Sequence, residues 1–168
     1  KTEVAKLLEK AGVDYIVLPE IYDIKTDALL VKTICAVVRK ATVVLPVGLT
    51  KEDCAIAWNA MKNAANARLQ VCVPVSPVQM EYFCHKKSSA VLEMIGELVA
   101  ECTSLCNDVE FVAEDATRSE SDFLAAAIEK AVSAGAKTVT LCDTAGTMLP
   151  DEFSAFLNGI RLPDDVTL

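Results

Sequence analysis

Several residue types and motifs that mark particular functions are scarce or missing from this sequence. There is a single histidine, His85, among 168 residues, and aromatic residues make up 5%. One histidine alone cannot form a metal site. No Gly-x-Gly-x-x-Gly or P-loop segment follows the first predicted strand, which weakens the case for a doubly wound nucleotide-binding fold. A Gly-x-Ser-x-Gly elbow is also missing, so we set aside a Ser-His-Asp hydrolase.

Paired cysteine motifs are missing as well. The seven cysteines are Cys35, Cys54, Cys72, Cys84, Cys102, Cys106 and Cys142. Their number is odd and no two form Cys-x-x-Cys, while most lie inside apolar runs where a thiol packs as a small hydrophobic side chain. Cys102 and Cys106 share a helix face, but two ligands without a third are a weak metal signal. We therefore expect no metal ligands, and reduced thiols in a cytoplasmic protein.

Positive charge is in deficit, with 16 Lys and Arg against 24 Asp and Glu and a net charge of -8. Nucleic-acid binding depends on Lys and Arg that neutralise phosphates, so we expect no nucleic-acid partner. The longest apolar runs have only the length of strands, and we expect no membrane-spanning segment and no membrane partner. Because 52% of the residues are hydrophobic and few of them are aromatic, the core should consist of aliphatic side chains.

What the sequence does contain is a regular alternation of strand-like and helix-like segments. The predicted strands are 13–18, 42–47, 68–73, 109–113 and 138–142, with the start of another at 166–168. The predicted helices are 2–11, 29–38, 50–64, 88–105 and 119–134, with another from 150. Such alternation indicates parallel strands in either a doubly wound sheet or a (β/α)₈ TIM barrel. Polar residues after several different strands favour the barrel. A barrel typically needs about 250 residues, so we expect an incomplete central portion, about strands 2 to 7, in residues 1–168.

Two loops that follow predicted strands contain the residues that are candidates for catalysis or substrate binding. The first begins with Glu114 and Asp115 and continues through Thr117 and Arg118 to Ser119, which is expected to cap the next helix. A carboxylate pair at a helix start can also interact with the helix dipole alone. The second loop contains Asp143 and Thr144 before a glycine, where a simple Asx-type turn is the plain alternative. We expect Arg118 to pair with a loop carboxylate.

The longest connection without periodicity runs from Ser76 to Lys87, and connections of this length are often functional. It contains His85, for which we favour an exposed surface position, and general-base chemistry is the minority interpretation. Lys86 and Lys87 could contact the phosphates of coenzyme A, although two lysines at a helix start are usually only solvated.

Several of these segments resemble one enzyme family. The resemblance is specific for residues 108–124 (DVEFVAEDATRSESDFL) and 135–153 (GAKTVTLCDTAGTMLPDEF), and weaker for 76–82 (SPVQMEY) and 8–16 (LEKAGVDYI). The first two resemble the fifth- and sixth-strand motifs of the 2-isopropylmalate synthases, which are similar to homocitrate synthases, citramalate synthases and metal-dependent aldol lyases. The resemblance runs in one order over nearly the whole chain.

This resemblance implies a TIM barrel that condenses acetyl-CoA with a 2-oxo acid by metal-assisted Claisen chemistry, in amino-acid and specifically leucine biosynthesis. It implies a divalent metal (Mg, Mn or Zn) whose ligands lie outside this chain, in an Asp-Arg motif before Lys1 and a His-x-His motif after Leu168. Matched by motif, Glu114 is the catalytic carboxylate and Thr144 and Ser76 bind substrate. Asp115, Thr117, Arg118 and Asp143 support the loops.

The sequence departs from the family pattern on three strands. Val17 occupies a position where the family often has glutamate, residues 47–49 lack the family's arginine, and Gln70 stands where the family often has histidine. These changes keep open a second hypothesis, a catalytically inactive binding or assembly module derived from the family. On either hypothesis an incomplete barrel leaves strand edges unpaired, and we expect a homodimer. We expect residues 1–168 alone to be inactive.

Overall fold

The computed structural model describes residues 1–168 as alternating helices and strands. The strands are β1 (Tyr15–Val17), β2 (Thr42–Val47), β3 (Ala67–Pro74), β4 (Val109–Glu114) and β5 (Thr138–Leu141). The helices are α1 (Thr2–Ala11), α2 (Thr26–Val37), α3 (Lys51–Met61), α4 (Pro77–Tyr82), α5 (Ser88–Leu105), α6 (Ser121–Ser133) and α7 (Pro150–Asn158). A short 3₁₀ turn covers Ala116–Arg118. No helix combines the length and the apolarity needed to cross a membrane.

The five strands form one parallel sheet in the order β1-β2-β3-β4-β5. Each strand therefore lies beside the one that precedes it in the chain. A doubly wound sheet reverses this order at a switch point, whereas a barrel continues in one direction. The order confirms the predicted partial TIM barrel, and the sheet with its outer helices makes up about half of one. The family's fifth and sixth strands correspond to β4 and β5.

The outer face of the sheet packs against the helices, as side-chain alternation along a strand requires. Leu69, Val71 and Val73 of β3 and Val109 and Phe111 of β4 are all fully buried on this side. They belong to a core cluster of 37 buried residues drawn mainly from Val, Leu, Ile and Ala. The aliphatic core that composition predicts is confirmed for this face.

The inner face of the sheet is polar, which the expectation of an aliphatic core did not include. Glu110 of β4, only 7% exposed, accepts hydrogen bonds from Thr140 Oγ1 at 2.6 Å and Gln70 Nε2 at 3.0 Å. Arg68 lies 3.8 Å from the same carboxylate and 3.0 Å from Asp108. These side chains form a charged and hydrogen-bonded layer across β3, β4 and β5.

Three local predictions need correction. Ser119 does not cap the next helix, because α6 begins at Ser121 after Glu120 and without a side-chain cap. The Ser119 hydroxyl instead donates to the carbonyl of Val75 at 2.9 Å. The connection after β3 is not irregular throughout, because Pro77–Tyr82 forms α4. The expected sixth strand at 166–168 is limited to one parallel bridge between Thr138 and Thr167.

Candidate active site

Glu114 is the last residue of β4 and lies at the edge where the parallel strands end. Strand register places it beside Pro74 of β3. Its side chain is half-buried, and burial alone raises the pKa of its carboxyl. No hydrogen-bond donor or cation in the chain pairs with this side chain. A carboxyl with a raised pKa and no fixed partner is suited to accepting and releasing a proton.

Asp115 follows directly but has a different environment. Its backbone lies in the left-handed region at φ 59°, which turns the chain sharply at the end of the strand. Arg118 pairs with its carboxylate through two nitrogens, Nε at 2.8 Å and Nη2 at 2.6 Å. The hydroxyl of Ser76, at the end of β3, also donates to it. Asp115 is completely buried. Because its carboxylate binds both Arg118 and Ser76, it joins the loop after β4 to the loop after β3, and we call this contact the junction.

The loop after β5 joins the same junction through Thr144. The Thr144 hydroxyl accepts a hydrogen bond from the backbone N–H of Asp115 at 2.8 Å. Because a hydroxyl has one proton to donate, this arrangement leaves the Thr144 proton free for another acceptor. Asp143 holds the loop by accepting from Thr117 Oγ1 at 2.7 Å and from the Met148 N–H at 3.0 Å.

The two neighbouring carboxyls have pKa values shifted in opposite directions. Hydrogen bonds from Arg118 and Ser76, with the Arg118 charge, lower the pKa of Asp115, whereas burial raises that of Glu114. Backbone and side-chain donors also lower the pKa of Asp143. Carboxyl groups separated in this way commonly divide the roles of proton carrier and fixed anion. By this contrast Glu114 is the carboxyl suited to carry a proton and Asp115 the one suited to remain an anion.

Two thiols lie close enough to Glu114 to respond to its charge. Burial and then the Glu114 charge raise the pKa of Cys72 to about 12, and the same two causes raise that of Cys142. A thiol with a raised pKa carries little thiolate at neutral pH and is a poor nucleophile. Neither of these two thiols is therefore suited to act as a nucleophile in the candidate site.

Glu20, in the loop after β1, is a neighbour of the site that sequence reasoning missed. Burial raises the pKa of its carboxyl, and the charges of Asp53 and Glu114 add to the shift. A carboxylate is thus present in the loop after β1 even though Val17 occupies the position where the family often has glutamate. Val17 itself is 59% exposed on the edge strand. No pattern in the sequence indicated that Glu20 lies near enough to Glu114 to respond to its charge, because the loop after β1 has no regular periodicity.

The predicted site residues separate into two groups by position. Glu114 and Thr144 have atoms free for a ligand, while Asp115 and Arg118 are engaged with each other. Ser76 is fully buried and its hydroxyl is bonded to Asp115, so the structure places it within the support of the loop and away from open space. No three His, Cys, Asp or Glu side chains converge on a point that could hold a metal ion. The residues of this chain therefore do not by themselves fit a metal.

A family model described as HMGL-like matches residues 1–163 of the chain. The chain belongs to the HMGL-like family. This HMGL-like chain is 34% identical over 161 residues to a 2-isopropylmalate synthase from Oceanobacillus iheyensis, covering 96% of this chain and 31% of the relative. It is 38% identical over 164 residues to a 2-isopropylmalate synthase from Gloeothece citriformis, with the same two coverages. The resemblance stated from the sequence motifs is confirmed. The chain spans about a third of the length of these relatives.

Two solved structures are similar to the HMGL-like chain in fold. One is phosphonopyruvate hydrolase in complex with oxalate and Mg²⁺, with a TM-score of 0.71, 16% identity, and coverage of 95% of this chain and 62% of that one. The other is 2,3-dimethylmalate lyase, with a TM-score of 0.64, 11% identity, and coverage of 100% and 65%. At such low identity these likenesses bear on the fold alone, and both support the partial barrel.

Proposed function

We propose that the protein containing this chain is a 2-isopropylmalate synthase-like acyltransferase, which condenses acetyl-CoA with a 2-oxo acid in cytoplasmic amino-acid biosynthesis, specifically that of leucine. The observation that carries the proposal is that two free groups lie close together in the fold. Glu114 is a half-buried carboxyl with no partner in the chain, and Thr144 has a hydroxyl proton that no group in the chain accepts. Both lie at the ends of adjacent strands, where TIM barrels bind substrate. The identities to 2-isopropylmalate synthases support the reaction class.

In the proposed reaction the two side chains have different tasks. Thr144 donates its hydroxyl proton to the carboxylate of the 2-oxo acid and so orients the oxo carbon. Glu114 accepts the proton that the acetyl carbon loses. The new carbon–carbon bond then forms, and Glu114 returns a proton to the oxo oxygen. Water then cleaves the thioester and releases coenzyme A. Asp115 and Arg118 hold the backbone that carries both residues.

The proposal includes a divalent metal, Mg²⁺, Mn²⁺ or Zn²⁺, because the family resemblance implies one. The side chains of residues 1–168 do not assemble a site for it, so we derive no step through the metal. For residues 1–168 by themselves we also propose a homodimer, because β1 is then an edge strand on which Tyr15 is 51% exposed.

The test uses the full-length protein. Isothermal titration with each divalent metal and a series of 2-oxo acids measures binding, and release of coenzyme A from acetyl-CoA measures turnover. Glu114→Gln should abolish turnover and retain oxo-acid binding, whereas Glu129→Gln, an exposed glutamate of α6, should behave as wild type. If no metal and no oxo acid binds, the enzyme proposal is wrong.

A second candidate is a catalytically inactive binding or assembly module. The specific observation in its favour is that Val17, residues 47–49 and Gln70 depart from the family pattern on β1, β2 and β3. Oxo-acid binding with no release of coenzyme A under any condition would support the module over the enzyme.

A further inference from the structure

Two of the seven free thiols face each other where α3 packs against α5. Cys54 of α3 and Cys102 of α5 are both completely buried, and both belong to the hydrophobic core cluster. The hydrogen bond between these thiols lowers the pKa of Cys54, and the same contact raises that of Cys102. The pair belongs to the outer helices and has no task in the proposed reaction.

The other buried thiols of the outer helices are placed differently. Cys106, one helical turn after Cys102, is hydrogen-bonded through its Sγ to the carbonyl oxygens of Ala67 at 3.4 Å and Asp108 at 3.3 Å. Burial raises the pKa of Cys35 to about 11, and no second thiol contributes to that shift. Cys54 and Cys102 are thus the two thiols of these helices that are placed to react with each other.

A small oxidant has a route to this pair from the surface. A groove of about 520 Å³ runs along α5, and Lys51, Glu97 and Glu101 are among the residues that line it. Lys51 of α3 and Glu97 of α5 form an exposed ion pair at 3.6 Å across the seam between the two helices. Cys102 follows Glu101 directly, and the Glu101 charge acts on the pKa of Cys54. Because exposed ion pairs contribute little to stability, the seam above the thiols opens at low cost.

We propose that Cys54 and Cys102 are a peroxide-sensitive thiol pair that closes to a disulfide between α3 and α5. Cys54 supplies the first thiolate, since the contact with Cys102 favours its ionised form. Its sulfur attacks one oxygen of hydrogen peroxide, the O–O bond breaks, and the other oxygen leaves as water with the proton that Cys54 lost. Cys54 is now a sulfenic acid.

The second step joins the two helices. The Cys102 sulfur attacks the Cys54 sulfur, the S–O bond breaks, and the oxygen leaves as water with the proton of the Cys102 thiol. The two sulfurs together lose two electrons, and the peroxide is reduced to two water molecules. Disulfide sulfurs lie about 2.0 Å apart, closer than hydrogen-bonded thiols, so α3 and α5 approach each other as the bond forms.

The experiment treats the folded full-length protein with hydrogen peroxide, removes the peroxide with catalase, and alkylates the remaining thiols after unfolding. Peptide mapping by mass spectrometry then locates the cross-link. Trypsin yields peptide 52–62, which contains Cys54, and peptide 88–118, which contains Cys102 and Cys106. We expect these two peptides to be joined with the loss of two hydrogen atoms in most of the wild-type protein. A Cys106→Ala variant, in which Cys102 is the only thiol of its peptide, should give the same cross-link.

Two further variants separate a reacting pair from two independently oxidised thiols. In Cys102→Ala the reaction should stop at the sulfenic acid of Cys54, which a 1,3-dione traps as an adduct of higher mass. Cys35→Ala, at another buried thiol, is the matched control and should cross-link as wild type does. The proposal is overturned if both Cys54 and Cys102 of peroxide-treated wild type are alkylated, or if either is joined to a different cysteine. None of these readouts depends on turnover, so this inference and the proposed function fail independently.

Discussion

Replacing Asp115 by asparagine should destabilise the protein by weakening the junction between the loops after β3, β4 and β5. Asparagine has nearly the same size and tolerates the left-handed backbone at φ 59°. The substitution therefore removes the charge and one acceptor oxygen while leaving the turn in place. Ser76, which is fully buried, and Arg118 then compete for the one remaining oxygen.

The size of the effect follows from these contacts. A hydrogen bond to a charged group contributes about 1.5–3 kcal/mol. Breaking a fully buried ion pair costs about 3–5 kcal/mol, but the Arg118 side chain is 44% exposed, and solvent screens its share. We expect the free energy of unfolding to fall by about 2 kcal/mol.

Urea denaturation measures this change. With a urea dependence of about 2 kcal/mol per molar, typical of a small domain, the midpoint should fall by about 1 M. Asp165→Asn, at an exposed aspartate, is the matched control and should change the free energy by less than about 0.5 kcal/mol. If Asp115→Asn shifts the midpoint no more than this control, the junction does not stabilise the fold.

Acid titration provides an independent check on the same residue. The pKa of Asp115 is lower in the folded protein than the usual aspartate value of about 3.9. Its contribution to stability is therefore complete above that value and is lost as the pH falls through the folded pKa. The difference in stability between wild type and Asp115→Asn should shrink below about pH 4. A difference that stays constant to pH 2 would show that charge is not its cause.

Three further predictions concern the other carboxylates and Thr144. Glu114→Gln should lower the rate of coenzyme A release at least about 100-fold, while chemical denaturation shows no loss of stability. Because the folded pKa of Glu114 is raised, wild type should gain stability as the pH falls through that pKa, and Glu114→Gln should not. Thr144→Val should weaken 2-oxo acid binding, as measured by calorimetry. It should also lower the free energy of unfolding by about 1 kcal/mol, because the Asp115 N–H loses its acceptor. Thr144→Ser, which keeps the hydroxyl, should do neither. Glu110→Leu should destabilise by about 3 kcal/mol in urea, because the part-buried donors Thr140 and Gln70 both lose the carboxylate that accepts from them.

The overall fold was accessible from the sequence because its signals are local. Gly12 and Gly135 end helices at positive φ, Thr50 caps α3 with Asp53, and Pro150 begins α7, and each of these is visible as a residue type at a fixed place. The predicted helix 88–105 agrees with α5 at both ends. The regular spacing of such signals was sufficient to predict parallel strands that follow one another in chain order.

The polar inner layer was missed although its signal was present. In β3 the residues from Arg68 to Val73 alternate polar and apolar, which is the pattern of a strand with two different faces. The sequence analysis predicts only a strand for this segment and does not assign Arg68 and Gln70 to a shared layer. Their partners Glu110 and Thr140 come from other strands, and only the register brings these four side chains together.

The errors at Ser119 and Glu20 have a different origin, since tertiary contacts decide both. Ser119 has the residue type and position of a helix cap, but its hydroxyl donates to the carbonyl of Val75, on a loop 44 residues earlier in the chain. The approach of Glu20 to Glu114 depends on how the loop after β1 crosses the end of the sheet. No local pattern encodes a contact between two separate loops.

The environment of Glu114 bears on the choice between the proposed enzyme and an inactive module. Burying a carboxylate without a donor or a cation costs stability, and this cost appears as the raised pKa of Glu114. The neighbouring Asp115 shows that the same loop is able to satisfy a carboxylate fully, with Arg118 and Ser76. A protein that only needed a stable scaffold would gain by placing an apolar residue at position 114. An unpaired carboxyl next to a satisfied one suits the proton transfer proposed for Glu114, and Glu114→Leu should raise the urea midpoint while abolishing turnover.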